Sequence, residues 1–130
     1  TSSETYIVNF TDASGCIATD SVIINVNPIP FVTITSATPS PACIGDDINI
    51  TATSSIPSNL FSFQYNTGST WVNITTPAMG TTNPIIFSNI LIATQFRVKT
   101  RETWGCNTSA WSTIITVPII TVATSPIYHN

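Results

Sequence analysis

Catalysis near neutral pH draws on a small set of side chains, and this chain holds few of them. Its single histidine is His129, one residue from the end of the 130-residue sequence. No Ser-His-Asp or Cys-His set can therefore be drawn from the middle of the chain, where a nucleophile and base would have to meet. HExxH, CxxC, GxGxxG and P-loop patterns do not occur in the sequence. The acid–base candidates are Asp46, Asp47 and Glu102. Asp46 and Asp47 are neighbours leading into an expected strand, where successive side chains point to opposite faces, so they do not flank one substrate. The expectation is that this protein is not an enzyme.

Binding chemistry is better represented. Trp71, Trp104 and Trp111 are the ligand-binding candidates, because a flat indole packs well on the apolar face of a sugar ring. Polysaccharide is the partner they suggest; the competing role is packing against a sheet. Arg97, Lys99 and Arg101 supply every positive side chain and alternate along one expected strand, which puts all three on one face. A solvated sheet face set opposite carboxylates such as Glu102 is the expected role, with a ligand-binding basic stripe as the alternative. With three Lys and Arg and a net charge of −3, there is no phosphate-neutralising surface for nucleic acid. Asp12, Asp20, Asp46 and Asp47 fall near loop ends, where they and backbone carbonyls would suit calcium. No DxDxDG loop is present, and turn capping accounts for them more simply. No other cofactor is expected. No apolar run approaches the roughly 18–20 residues of a membrane span, so membrane insertion is not expected.

The elements that position these residues repeat. Residues 5–28, TYIVNFTDASGCIATDSVIINVNP, align with residues 95–118, QFRVKTRETWGCNTSAWSTIITVP. Gly15-Cys16 matches Gly105-Cys106, Tyr6 matches Phe96, Val8 matches Val98, Asp12 matches Glu102 and Pro28 matches Pro118. Every pair is separated by 90 residues. A period of that length is a small sandwich domain in tandem. The chain is read as residues 1–29, the C-terminal hairpin of a preceding repeat; residues 30–118, a complete β-sandwich repeat; and residues 119–130, the start of the next. The prolines in the 27–30 linker stiffen the junction. Trp104 and Trp111 correspond to Ser14 and Ser21, so neither indole belongs to the shared frame.

Alternating apolar residues mark short strands throughout. They run over 6–10 and 22–26 in the leading hairpin, then 31–36, 48–52, 61–65, 71–75, 84–92, 95–101 and 112–117, the last with Thr113, Ile115 and Val117 inward. Gly68 takes the left-handed position of a hairpin turn. No helical period occurs. The fold class is all-β, a Greek-key β-sandwich. Charged residues are only 7 % of the chain, and Thr, Ser and Asn build its polar surface, a composition associated with exported proteins. In that oxidising setting Cys43 and Cys106 would pair and stabilise by about 2–4 kcal/mol. Cys16, the counterpart of Cys106, would have its partner upstream.

With this frame in place, TYIVNFTDASGCIATDSVIINVNPIP followed by PACIGDDINITAT resembles the immunoglobulin-like and PKD-like repeats of very large Bacteroidota cell-surface proteins. The shared habit is a Tyr-x-Val strand, a Thr-Asp turn, Gly-Cys, a Val-rich strand, a proline linker and Cys-x-Gly. Arg101-Glu102 departs from it, standing where Thr11-Asp12 stands in the first copy. The resemblance implies an immunoglobulin-like sandwich in the manner of gliding-motility adhesins and other type IX secretion cargo, displayed outside the cell. It also implies an Asp-Ser-apolar O-glycosylation site at Ser21, which a strand-entry turn explains equally well. The expected function is a structural repeat of an adhesin or surface filament. The alternatives are a carbohydrate-binding module and a filament subunit that pairs its bare hairpin with identical chains.

Overall fold

The computed structural model describes residues 2–57, 59–103 and 107–122. They form nine strands and, among the described residues, no helix: β1 (Glu4–Thr11), β2 (Ile17–Ile24), β3 (Val32–Thr38), β4 (Ile48–Ser54), β5 (Asn59–Asn66), β6 (Val72–Asn73), β7 (Ile85–Phe87), β8 (Thr94–Glu102) and β9 (Ile115–Val117). All the sheets are antiparallel. β1 and β2 make a two-stranded ribbon, β3-β4-β7 a three-stranded sheet, and β6-β5-β8-β9 a four-stranded sheet. The larger two face each other as an immunoglobulin-like sandwich.

Alternation along the strands builds its core. β3 and β4 turn Val32, Ile34, Ile48, Ile50 and Ala52 inward, and β5 and β8 answer with Phe61, Phe63, Phe96 and Val98. Phe87 links the layers, its ring 4.8 Å from Tyr65 and 5.2 Å from Phe96. Where a strand stops early, side-chain amides continue the sheet. β7 is only three residues long, and Asn83 ahead of it accepts the Ala52 N–H (2.9 Å) and donates to the Ala52 carbonyl (2.7 Å). The strands expected over 71–75 and 84–92 are therefore shorter than their apolar patterns; Ile90 is buried from a loop, held by Asp46 and Gly45.

The leading ribbon joins neither larger sheet. Asp12 closes its turn by accepting the N–H groups of Ser14 and Cys16, with Gly15 at φ 87°. Shifted by 90 residues, β1 falls on β8 almost end to end. The two nevertheless differ in burial. Tyr6 and Val8 are 51 % and 63 % exposed, whereas their counterparts Phe96 and Val98 are completely buried. Among the described residues nothing buries the apolar side chains of the ribbon.

The chain enters and leaves the sandwich at opposite ends of β8. Asn107, just past the β8–β9 turn, donates to the Asn27 carbonyl of the incoming linker (3.3 Å). At the other end Thr94 pairs with Val117, and the outgoing residues clamp Ala42, which donates to Pro118 and accepts from Ile120.

Candidate functional site: an aromatic and cationic face on the four-stranded sheet

Inward residues of β8 fill the core, so Arg97, Lys99 and Arg101 stand on the outer face, as the alternation requires. Their cross-strand partners on β5 are Gln64, Ser62 and Leu60, and Arg101 bridges to Thr108 on the other side. All are uncharged. Among the described residues the carboxylate partnership expected for this face is not made, and Glu102, next along β8, has the opposite parity.

Arg97 is instead held by aromatics and amides. Its guanidinium carbon lies 4.1 Å from the ring centroid of Trp71 and 4.2 Å from that of Trp111. Nε and one terminal nitrogen donate to Gln64 Oε1 at 3.0 and 2.8 Å, and Gln64 Nε2 donates in turn to Asn73 Oδ1 at 2.9 Å. Lys99 Nζ lies 4.6 Å from the Trp111 centroid. Cations are drawn to the negative faces of indoles, and a planar guanidinium can stack while its edge hydrogen-bonds. Desolvation lowers the Arg97 pKa from its ordinary value, but an arginine stays charged in proteins. Both indoles keep part of their surface exposed.

Trp111 reaches this face through two irregularities in the last strand. By simple alternation it would share the inward parity of Ile115 and Val117. The pairing of β8 slips, however: Arg101 bridges Thr108, Val98 accepts from the Ser112 amide, and Phe96 pairs with Ile115. One extra residue enters between Ser109 and Ser112, and another between Ser112 and Ile115, each a local bulge. At both slips a serine hydroxyl replaces a ladder carbonyl. Ser109 Oγ accepts the Thr100 N–H (2.8 Å) and donates to the Ala110 carbonyl (2.7 Å); Ser112 Oγ accepts the Val98 N–H (3.1 Å) and donates to the Thr113 carbonyl (2.9 Å). The bulges turn Trp111 outward and leave Thr113 exposed, against the inward position its spacing predicts.

The structure therefore brings together Trp71 and Trp111 of the three tryptophans. Trp104, Gly105, Cys106 and His129 lie outside the described residues. Cys43 carries a free, exposed thiol, as does Cys16, so the bridge expected between Cys43 and Cys106 is not formed here. Ser21 is exposed in the middle of β2, rather than at a strand entrance, and its N–H donates to Asp20 Oδ1. Asp46 and Asp47 accept from the backbone N–H groups of Cys43 and Asn89 respectively, a loop-tying role on separate partners. Among the described residues no three His, Cys, Asp or Glu side chains gather into a metal site, and no helix is long and apolar enough to cross a membrane. Gln64 and Asn73 on this face, and Ser109 and Ser112 opposite the inward Thr100 and Val98, are residues that alternation alone did not single out; the Ser-x-x-Ser spacing before a short terminal strand was the available signal for the serines. No protein-family model matches the chain, and no curated protein matches its sequence.

Proposed function

We infer that this chain is a segment of a non-catalytic tandem array outside the cell, in which immunoglobulin-like sandwiches extend and present a binding region. One observation carries the reading: β1 coincides with β8 at an offset of 90 residues, yet its Tyr6 and Val8 are bare where Phe96 and Val98 are buried. A core-type strand hairpin with no core of its own is the terminal hairpin of a neighbouring sandwich. Linkers at opposite ends of β8 suit an end-to-end string, in which each nine-residue β8 contributes about 27 Å of length. The resemblance to Bacteroidota repeats supports reading such an array as an adhesin, stalk or filament of the type IX secreted kind.

The test is to label intact source cells with antibody raised against residues 30–118. Surface labelling without permeabilisation supports the reading; labelling only after permeabilisation overturns it. A second reading, a carbohydrate-binding module, is favoured by the convergence of Trp71 and Trp111 on one open sheet face. The filament alternative predicts that the bare ribbon face pairs identical chains. Light scattering that finds only monomers at high concentration would remove it.

A further inference from the structure

The outer face of the four-stranded sheet concentrates charge in a way the rest of the chain does not. The protein has a net charge of −3, yet all of its three basic side chains project from alternate positions of one strand. Alternate positions lie about 7 Å apart, so Arg97, Lys99 and Arg101 form a row about 13 Å long. Uncharged residues stand across from each of them, and among the described residues neither Lys99 nor Arg101 has a carboxylate partner. Arg97 is fixed between Trp71 and Trp111 and pinned through Gln64 and Asn73. Arg101 is exposed and Lys99 partly so, its Nζ near Trp111.

We propose that the face formed by Trp71, Trp111, Arg97, Lys99 and Arg101 binds an acidic polysaccharide of uronic-acid units. The features required of its ligand are three. It must carry repeated negative groups to follow the cation row, since like charges in a line are best satisfied by a polyanion. It must offer flat apolar surface to the exposed parts of the indoles, which a pyranose ring does. It must also offer hydroxyls to the amides of Gln64 and Asn73 at the rim. A carboxylated sugar chain meets all three, and its carboxylates match the planar guanidinium of Arg101 in two-point geometry. Nucleic acid meets the first two, but three cations in a negatively charged protein give too little phosphate neutralisation to hold it.

The platform goes beyond the tandem-array reading and needs it only for access to extracellular polymer. Binding without surface labelling would therefore sink the array and keep the platform, and the converse result would do the reverse. The experiment is affinity electrophoresis of the full chain in gels containing polygalacturonate, with dextran and a single-stranded oligonucleotide in parallel. Retardation is expected in polygalacturonate alone, weakening as salt rises to about 0.15 M because the exposed charges are screened. Lys99→Gln together with Arg101→Gln, which leaves the Arg97 clamp intact, is expected to reduce affinity about tenfold or more with an unchanged circular dichroism spectrum. A conservative Lys99→Arg change is expected to retain binding. Equal retardation by dextran, preference for the oligonucleotide, indifference to the double substitution, or no retardation by polygalacturonate would each overturn the proposal.

Discussion

Thr100 and Ser109 meet through an exchange in which one backbone partner is a side chain. Ser109 N–H donates to the Thr100 carbonyl, while Thr100 N–H donates to the Ser109 hydroxyl, both at 2.8 Å. The hydroxyl in turn donates a hydrogen bond to the Ala110 carbonyl, so the bulge leaves neither group unsatisfied. Ser112 repeats the device three residues on, and the two together turn Trp111 onto the outer face.

Ser109 is almost fully buried, so Ser109→Ala strands the Thr100 N–H where water does not reach. The expected cost is about 1–3 kcal/mol. Ser112 is only partly buried, and Ser112→Ala should cost less, about 1 kcal/mol, because water can replace the hydroxyl. Urea unfolding of both variants measures the order; equal or reversed losses would mean the serines do not support the ladder.

The Arg97 clamp predicts that arginine and lysine are not equivalent there. A lysine can approach one indole but cannot stack between two while bonding Gln64. Arg97→Lys is expected to lower stability by about 1 kcal/mol, and a double-mutant cycle with Trp71→Ala should return a coupling of about 0.5–1 kcal/mol. Additive losses in that cycle would show the ring and guanidinium to be neighbours without attraction.

How far this face could be read in advance turns on parity. The cations were legible because β8 is regular for nine residues, and strict alternation needs nothing but the peptide geometry. The core of β3 and β4 was legible for the same reason, even though Thr35 opens a bulge between Ile34 and Ser36. Trp111 was a candidate by residue type, but its face was not accessible to a period-two reading, because the residue inserted between Ser112 and Ile115 reverses the parity. The charge partners failed in a similar way: Glu102 is adjacent in sequence and on the wrong side of the strand. Asn83 falls outside the expected strands, since an amide that imitates a strand leaves no apolar pattern.

The thiols make a chemical prediction. Cys16 and Cys43 are both exposed and unpaired, so alkylation of the native protein should add mass at both. Cys43→Ser should then change stability by no more than about 0.5 kcal/mol, the range of ordinary surface substitutions. Protection of Cys43 in protein secreted into an oxidising medium, with a matching loss at Cys106, would instead show that the bridge forms there and adds about 2–4 kcal/mol.

The ribbon should be dispensable for the sandwich and costly for solubility. β1 and β2 form a sheet of their own, and among the described residues Asn107, in the β8–β9 connection, hydrogen-bonds the Asn27 carbonyl of the incoming linker. A chain beginning at Pro28 is therefore expected to keep its unfolding free energy to within about 0.5 kcal/mol. Replacing Tyr6, Val8 and Phe10 with threonine in the full chain removes the β1 share of the exposed apolar stripe, leaving Val22 and Ile24, and should reduce self-association at high concentration without altering the unfolding midpoint. A large loss of stability on truncation would mean that the ribbon packs on the sandwich in solution. In that case the stripe would be part of one core, and the two hairpins would no longer be equivalent pieces of successive repeats.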